Sequence, residues 1–403
     1  MARCAHSECA PAPDAGPPRL AALHSDYTGS SSISLLDASG RIASADWLSG
    51  ATLPVGLAPV LGSDVVFPSE QRYQGRLTFI DRLGLDRITA VEIGVPTQNV
   101  VSFSTVGVTQ SSQHRNATYR PNPQDAFRLS DGTWLVTRPE PKRGSASGDP
   151  GAAEGPSSAG DGDDIVRLDP ASGDLLGRLD LSTLRDDGLW ARPARFAPLG
   201  GSLLAVGLWH LSGDYQVAGP GRIALMDYAR WALVQNVDLT PFANCGEVAA
   251  YADTLFVLCR GTPFATPDQR QGSSGIVQLT WAEGRLGERR RFHPRVPTEA
   301  PSLGLLPLSR DRVLFVAEGD FLTDESDALF VYDFSSDTAT RIYQARAAFV
   351  LGAPVGDGET LYLPLADAGL VVLPTAASSQ EIRNALPTTC RKLPLRALSW
   401  LLD

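Results

Sequence analysis

The chain has 403 residues and a net charge of −10, from 45 acidic and 35 basic side chains. Its length allows a large buried core, and its acidic balance argues against binding to nucleic acid or to an anionic membrane surface. No stretch approaches the ~18–20 apolar residues that a membrane-spanning helix needs, so we expect no membrane span.

The N-terminal segment, residues 1–19, reads "MARCAHSECAPAPDAGPPR" and is rich in Cys, Pro and small residues. It lacks the charged start and apolar core of a signal peptide, and its composition predicts a flexible tether before the fold. It resembles the mature start of a bacterial lipoprotein, which implies a lipid anchor on Cys4. A disordered cytosolic tail is the alternative.

Short apolar runs that end in an acid and a turn recur along the rest of the chain, as in "SSISLLDASGRI", "DDIVRLDPASGDLLGRLDL" and "GRIALMDYARWALV". Such runs, bounded by Gly, Asp, Ser and Pro, are typical of antiparallel strands, and long amphipathic helices are absent from the pattern. The seven runs begin at Ile33, Leu77, Ile165, Ile223, Ile276, Leu329 and Leu370.

The spacing of these runs indicates the architecture. Propeller blades of four strands repeat at ~40–50 residues, and loop insertions lengthen single blades. The widest step contains residues 141–164, a Gly-, Ser-, Ala- and Pro-rich segment that we interpret as a disordered loop. We therefore predict an all-β, seven-bladed propeller of four-stranded antiparallel blades, with residues 20–403 as a single domain.

Each run follows a hairpin, as in "LSDGTWLVTR" before "DDIVRLDPASGDLLGRLDL". This pattern, over residues 20–400, resembles the YVTN-type β-propeller repeat, in which a strand pair with a DG turn precedes a second strand pair. The resemblance implies the propeller fold. It leaves function open, because that superfamily includes enzymes, binding proteins and surface proteins.

The acid of each run has a structural interpretation. Asp side chains bond nearby backbone amides, and Gly supplies positive φ, so an acid followed by "ASG" favours a tight turn between the two outer strands of a blade. The residues assigned to these turns are Asp37, Asp81, Asp169, Asp227 and Asp333.

The two ends of the chain are expected to meet. Residues 393–401, "LPLRALSWL", form a predicted strand with no blade of its own, whereas Leu23–Tyr27 and Ile33–Asp37 supply only later strands of the first blade. We predict that the C-terminal strand completes blade 1. Such closure leaves no exposed sheet edge for aggregation.

Long loops connect the second and third strands of the blades and emerge on one face, which we call the loop face. Long loops on a rigid scaffold are where binding sites usually lie. The candidate binding residues on this face are His24, Asp26, Tyr27, Glu70, Arg72, Arg138, Trp209, His210, Asp214, Arg260, Glu318, Asp320 and Asp367.

A metal or cofactor site is not indicated by these residues. The histidines are scattered singly, although His24 and His210 could share a face with Glu318 and Asp320. The acidic run from Glu318 to Asp327 lacks the spacing of a calcium-binding loop. We predict no cofactor and no metal.

Some of the candidate residues on the loop face also have the chemistry of a hydrolase. A propeller lactonase would need a general base and cationic residues near the central opening, and Glu70, Glu318, Arg138 and Arg260 have that chemistry, although no spacing enforces the assignment. No G-x-S-x-G nucleophile elbow occurs.

Two of the five cysteines are expected to form a disulfide, because Cys245 and Cys259 lie on the two strands of one predicted hairpin. A three-residue turn at Tyr251–Asp253 would place Ala250 opposite Thr254 and Cys245 opposite Cys259, at a separation that a disulfide can span. A two-residue turn would shift the register by one residue. Buried, reduced thiols are the alternative.

The other cysteines leave their pairing open: Cys390 is expected to pair with Cys9 or Cys4, leaving one N-terminal cysteine over. A disulfide indicates an oxidising compartment. We therefore predict an extracytoplasmic, monomeric binding or scaffold protein, in the periplasm or at the cell surface, whose loop face takes a protein or a small molecule. A propeller hydrolase and a structural surface protein without a small ligand are the alternatives.

Overall fold

The computed structural model describes residues 12–27, 29–49, 60–71, 75–93, 100–106, 120–141, 162–320, 323–375 and 393–401. Arg72, the N-terminal residues through 11, residues 142–161 of the predicted disordered loop, and Cys4, Cys9 and Cys390 lie outside these ranges. Among the described residues, no helix is long and apolar enough to cross a membrane.

Within the described ranges almost all regular structure is β-strand, with one short α-helix, α1 (Pro267–Ser273), and two single-turn 3-10 helices, Ser182–Leu184 and Pro297–Glu299. In chain order the strands are β1 (Leu20–Ser25), β2 (Ser31–Leu36), β3 (Ile42–Ser49), β4 (Val65–Val66), β5 (Arg76–Asp81), β6 (Arg87–Glu92), β7 (Val100–Ser104), β8 (Ala126–Arg128), β9 (Trp134–Arg138), β10 (Asp164–Leu168), β11 (Leu175–Asp180), β12 (Leu189–Trp190), β13 (Pro193–Gly200), β14 (Leu203–Leu208), β15 (Leu211–Ser212), β16 (Pro220–Asp227), β17 (Ala232–Ala243), β18 (Glu247–Tyr251), β19 (Thr254–Arg260), β20 (Ser274–Ala282), β21 (Arg285–Phe292), β22 (Leu303–Pro307), β23 (Arg312–Ala317), β24 (Ala328–Asp333), β25 (Thr338–Gln344), β26 (Val355–Gly356), β27 (Thr360–Leu365), β28 (Gly369–Pro374) and β29 (Leu395–Trp400).

These strands form seven antiparallel blades, which confirms the predicted seven-bladed propeller. In strand order the blades are β29-β1-β2-β3, β4-β5-β6-β7, β8-β9-β10-β11, β13-β14-β16-β17, β18-β19-β20-β21, β22-β23-β24-β25 and β26-β27-β28, numbered here 1 to 7. The strands β12 and β15 pair separately. The first strands of blades 4, 5 and 6 contact one another in succession, so the first strand of each of these blades lies innermost.

The core lies between neighbouring blades. Central strands are buried on both faces, as in β19, where every residue from Thr254 to Cys259 is buried. Between blades 5 and 6, Phe256 and Phe292 pack with Phe315, whose ring stacks on Phe330 at 5.5 Å between centroids. This double burial explains the near-continuous apolar runs of the sequence.

Ring closure occurs as predicted from the two chain ends. β29 pairs antiparallel with β1, from Leu20 opposite Trp400 to Leu23 opposite Ala397, with a register shift before His24. The C-terminal strand therefore supplies the first strand of blade 1.

Among the described strands, blade 7 has three instead of the predicted four, and details of blades 2 and 3 also differ from the prediction. In blade 2 the run that begins at Leu77 is the second described strand, because β7 adds a further strand outside β6. In blade 3 the end of the predicted disordered loop is ordered instead, since Asp163 and Asp164 are fully buried and Asp164 begins β10.

Four of the five turn aspartates have the predicted role. Asp169 Oδ1 accepts the N–H groups of Ala171 and Ser172, both at 2.9 Å, and Asp37, Asp227 and Asp333 accept corresponding bonds from their own turns. Asp81 differs: it is buried, and its Oδ1 accepts the N–H of Gly62 at 2.7 Å, so it holds the preceding loop.

The buried position of Asp81 gives stability a pH dependence. Burial raises the pKa of its carboxyl to about 6, although the N–H of Gly62 acts in the opposite direction. Because the carboxyl of Asp81 has a higher pKa in the folded than in the unfolded protein, its protonation stabilises the folded protein at pH values below the unfolded-state pKa. This stabilisation is lost as the pH rises from about 4 to about 6.

We expect Asp81→Asn, which keeps an acceptor for Gly62 without a charge, to raise the free energy of unfolding by about 1–3 kcal/mol at neutral pH and to change it little near pH 4. Asp169→Asn is the control, because hydrogen bonding to Ser172 lowers the pKa of Asp169. Urea denaturation at both pH values measures the effect. A destabilised Asp81→Asn at neutral pH would contradict this assignment.

Closure predicts an effect of β29 on global stability. Leu395 is 2% exposed and packs with Leu20 and Tyr362, whereas Leu83 is 65% exposed in a turn. We expect Leu395→Ala to lower the free energy of unfolding by about 2–5 kcal/mol and the control Leu83→Ala by less than about 0.5 kcal/mol. Equal denaturation midpoints for the two variants would argue against closure by β29.

Candidate functional site

Three predicted site residues lie inside the protein and not on an exposed loop face. His24, Arg138 and His210 are fully buried. They occupy the ends of second strands or the residues just after them, where the connection to the third strand of the same blade begins.

Arg138 has a structural partner. Its Nε and Nη2 donate to the two carboxylate oxygens of Asp164 at 2.8 and 2.7 Å, and its Nη1 donates to the carbonyl of Val106 at 2.6 Å. Both members of this bidentate pair are fully buried. Removing one partner of such a pair leaves an uncompensated buried charge, so Arg138 holds blade 3 together and is not available to a ligand.

His210 is also held by protein groups. Its Nδ1 lies 2.8 Å from the carbonyl of Pro220, and its Nε2 lies 3.4 Å from Asp186 and 3.3 Å from Arg222. Burial lowers the pKa of its imidazole. Among the described residues, no group of three or more His, Cys, Asp or Glu side chains has the geometry of a metal site.

Several predicted residues shape loops. The carboxylate of Asp26 accepts hydrogen bonds from the N–H groups of Gly29 and Ser30. The carboxylate of Asp214 accepts one from the N–H of Gln216 and one from the Ser212 hydroxyl. Such contacts fix local turns. The remaining predicted residues on or near the face are the exposed Tyr27 and Asp367 and the partly buried Glu70 and Asp320.

Two predicted residues are brought together at the loop face between blades 5 and 6, with two that the sequence interpretation missed. Arg260 ends β19, and its Nη2 lies 3.4 Å from Oε1 of Glu247, which begins β18. Glu318 follows β23, and Arg270 lies on α1; the charges of Arg260, Arg270 and Glu247 all act on Glu318. We call these four residues the blade 5/6 cluster.

Glu247 and Arg260 are positioned by the scaffold. The second oxygen of Glu247 accepts the N–H of Gly304 at 2.9 Å, in the first strand of blade 6. The backbone N–H of Arg260 donates to the carbonyl of Asn244 at 3.0 Å. The ion pair lies within blade 5, and the hydrogen bond from Gly304 to Glu247 links it to the first strand of blade 6.

Glu318 is positioned through its backbone, while its carboxylate is partnered by no described residue. Its N–H donates to the Ser302 hydroxyl at 2.9 Å. Burial raises the pKa of its carboxyl; Arg260 and Arg270 act to lower it, and Asp327 and Glu247 act to raise it. The charges of two arginines thus oppose the effect of burial on this pKa without cancelling it.

Arg270 is the second group without a partner. Its guanidinium forms no hydrogen bond or ion pair with the described residues, and its Nε is buried. The side chain projects from α1, which is inserted in the loop between β19 and β20. A buried donor left without an acceptor costs about 1–3 kcal/mol, so this arrangement needs an explanation.

The sequence contained a signal for α1 that was not recognised. Thr266 and Gln269 form a capping box, in which the Thr266 hydroxyl accepts from the N–H of Gln269 and Gln269 Oε1 accepts from the N–H of Thr266. Pro267 occupies the first helical turn. The "TPDQ" pattern is a standard helix start and would have placed Arg270 one turn into a helix.

Asp327 fixes the loop that follows Glu318. Its carboxylate accepts the N–H of Gly319 at 2.8 Å and those of Phe349, Val350 and Leu351 at 2.7–2.8 Å. This predicted member of an acidic run is therefore a buried anchor between blades 6 and 7. It also contributes to the raised pKa of Glu318.

Trp209 borders the cluster. A Cβ on Gly246 would overlap its indole ring, so Trp209 lies directly against the residue before Glu247. Its ring also meets Tyr215 edge to face, at 6.4 Å between centroids. In the cluster's own loop, Phe264 is 80% exposed and has a left-handed φ of 53°.

The disulfide between Cys245 and Cys259 is present, with Cα atoms 3.9 Å apart. Of the two turns considered, the structure has the shorter: Tyr251 pairs with Thr254, so the turn has two residues and the register differs from the one that would place Cys245 opposite Cys259. The disulfide still forms because Cys245 lies outside the β18–β19 ladder. β18 begins at Glu247, and Cys245 instead makes an isolated β-bridge with Leu208 of β14.

The disulfide lies next to two residues of the blade 5/6 cluster in the chain. Cys259 directly precedes Arg260, and Cys245 lies two residues before Glu247. Gly221 makes room for the bridge, since a Cβ there would overlap the Cys245 sulfur. The disulfide thus joins the two chain segments that carry the Arg260–Glu247 ion pair.

No family model matches this chain, and no curated protein matches its sequence. Solved structures do. The periplasmic gluconolactonase of Pseudomonas aeruginosa has 13% identity and a TM-score of 0.54, covering 96% of this chain and 99% of its own. A candidate 6-phosphogluconolactonase from Bacteroides fragilis has 10% identity and a TM-score of 0.53, covering 98% and 100%.

The WD40 domain of Pan2 from Neurospora crassa has 9% identity and a TM-score of 0.50, covering 81% of this chain and 79% of that domain. At these identities the likeness establishes the fold alone. The chain is a seven-bladed β-propeller that carries a polar cluster on its loop face.

The disulfide leads to a test of stability. We expect Cys245→Ala with Cys259→Ala to lower the free energy of unfolding by about 2–4 kcal/mol, because the bridge restricts the unfolded chain. Reductant should destabilise the wild type and leave the double variant unchanged in guanidinium denaturation. Alkylation of both cysteines in denaturant without reductant would show that the bridge is absent.

Proposed function

We propose that this protein is a binding protein that captures a small-molecule ligand on its loop face, at the blade 5/6 cluster. The observation that carries the proposal is the unpartnered guanidinium of Arg270, whose Nε is buried and whose charge acts on the carboxyl of Glu318. Ligand sites combine a few fixed polar groups with surrounding apolar surface.

The energetics favour binding. Arg270 donates hydrogen bonds and cannot accept them, so a ligand acceptor would recover the cost of leaving its Nε unbonded. The ion pair of Arg260 and Glu247 is tied to two blades, and the adjacent disulfide restricts its motion. A site that is rigid before binding loses little conformational entropy when the ligand arrives.

We further propose that the protein acts outside the cytoplasm, in the periplasm or at the cell surface. The disulfide supports an oxidising compartment, because structural disulfides are rare in reducing ones. A lipid anchor at Cys4 and membership in the YVTN-type repeat family remain part of this proposal and rest on the sequence patterns alone.

A second candidate function is hydrolysis, as in a lactonase. One observation favours it: Glu318 has a raised pKa, as a general acid or base requires, and lies near two arginines that would stabilise an oxyanion. Two of the solved propellers of similar fold are described as lactonases, but that likeness extends only to fold.

The proposal predicts that ligand capture depends on the two arginines. We expect Arg260→Ala with Arg270→Ala to weaken retention of a co-purified small molecule roughly tenfold or more, because charged side chains at the centre of a site dominate binding energy. Native mass spectrometry of protein purified from its source measures retention.

The control is Arg230→Ala with Arg310→Ala, two exposed arginines in turns on the face opposite to the loops. Identical bound molecules on both double variants would refute the site. In parallel, acid release from a panel of lactones tests hydrolysis; turnover by the wild type that is lost in Glu318→Gln would favour the second candidate.

A further inference from the structure

A β-bulge in the closing strand β29 sets Arg396 apart from its neighbours. In the ladder between β29 and β1, Ala397 lies opposite Leu23 and Leu395 lies opposite His24, so Arg396 has no cross-strand partner. Bulges of this kind redirect the side chain of the extra residue and are common beside functional sites. β29 also contacts β26, the first strand of blade 7, as the innermost strands of blades 4, 5 and 6 contact one another. Arg396 therefore lies on the inner ring of strands.

The side chain of Arg396 is held against the loop between β1 and β2, which belongs to the loop face. Its guanidinium carbon lies 4.6 Å from the centre of the Tyr27 ring, and its Nε donates to the carbonyl of Ser25 at 3.2 Å. The N–H of Tyr27 in turn donates to the Ser25 hydroxyl at 3.0 Å. A stacked guanidinium with one fixed N–H has few orientations left, so it is ordered before any ligand arrives.

The backbone of Tyr27 is strained where it supports this stack. Tyr27 has a left-handed φ of 59°, a conformation that is unfavourable for a bulky aromatic residue. The residue is also 51% exposed, so burial of its ring offsets only part of that strain. Strained backbone positions concentrate at ligand-binding sites. This position thus points to a function for the stacked pair beyond folding.

A second stacked arginine shows what distinguishes Arg396. Arg192 lies 3.8 Å from the centre of the Tyr215 ring, and its Nη1 lies 3.1 Å from a carboxylate oxygen of Glu140. That pair is complete without a ligand. By contrast, no acidic side chain in the described part of the chain pairs with Arg396, and its Nη1 and Nη2 have no acceptor there.

The two open donors define the chemistry of a ligand. Because Ser25 occupies the Nε of Arg396, a ligand can reach only the end of the guanidinium, where Nη1 and Nη2 lie side by side. Two N–H groups arranged in this way match the two oxygens of a carboxylate. The net charge of −10 on the chain favours an anion with a single charge over one with two.

We propose that Arg396 and Tyr27 form a carboxylate-binding site on the loop face, in which Nη1 and Nη2 of Arg396 each donate to one carboxylate oxygen. The carboxylate belongs either to a small organic acid or to an acidic side chain of a peptide. This site is separate from the blade 5/6 cluster and does not depend on the function proposed for that cluster.

Benzoate and benzamide are matched probes, since they share a ring and differ in the charge of the group attached to it. We expect ligand-detected NMR titration of the full chain to show binding of benzoate roughly tenfold or more tighter than that of benzamide, because charge-assisted hydrogen bonds are the stronger ones. The peptides acetyl-Ala-Glu-Ala-amide and acetyl-Ala-Gln-Ala-amide test the second source of a carboxylate. The tighter of the two acids identifies the source.

Variants assign this binding to the stacked pair. Arg396→Gln should weaken benzoate binding roughly tenfold, and Arg396→Lys should not restore it, because an ammonium lacks the planar fork. Tyr27→Ala, at an exposed position, should weaken binding roughly threefold and keeps the test valid if an Arg396 variant fails to fold. Arg310→Gln is the matched control. The loss caused by Arg396→Gln should be the same when Arg260→Ala and Arg270→Ala are also present. Thermal melting checks the fold of each variant.

Three results would overturn the site. These are equal binding of benzoate and benzamide, unchanged benzoate binding in Arg396→Gln and Tyr27→Ala, and no binding of either acid at millimolar concentration. Inorganic phosphate that binds more tightly than benzoate, and is lost in Arg396→Gln, would contradict the assignment to a singly charged carboxylate. Retention of a co-purified ligand is measured separately on the Arg260 and Arg270 variants, so failure here leaves the proposed function standing.

Discussion

The constraint on which the structure depends is that each blade must be covered on both faces. The central strands carry apolar side chains on either side, and each blade buries them only against its two neighbours. An open row of such sheets would leave the outer faces of its two terminal blades uncovered, and closure into a ring covers them. The pairing of β29 with β1 supplies that closure and joins residues almost four hundred positions apart in the chain.

The rigid ring lets buried polar groups fix the loops. Asp163 accepts the N–H of Arg192 at 2.6 Å and the Nε of Arg185 at 2.6 Å, and Asp327 binds the loop between blades 6 and 7 in the same way. Each of these aspartates begins a third-strand segment and holds the next interblade connection. Loops held in this way can present side chains such as Arg260 and Glu318 at defined positions without a separate domain.

The fold was largely predictable, while the site was predictable only in part. The repeats, the closing strand and four of the five turn aspartates follow from local patterns that each blade repeats. Arg260 and Glu318 were recognised as loop residues, but Arg138 and His210 were also selected, although both are buried. Loop position does not reveal whether a polar side chain points to solvent or to a partner such as Asp164.

By itself, the sequence determined the number of blades and the ring closure and placed Cys245 and Cys259 on one hairpin, because strand alternation and turn residues act over short distances. Only the tertiary structure decided the surroundings of Arg270 and Glu318 and the two-residue turn beside the disulfide. The physical reason is that partner choice and burial depend on how neighbouring blades meet. Residues more than 40 positions apart, such as Arg270 and Glu318, come together through that packing, which no local pattern in the sequence encodes.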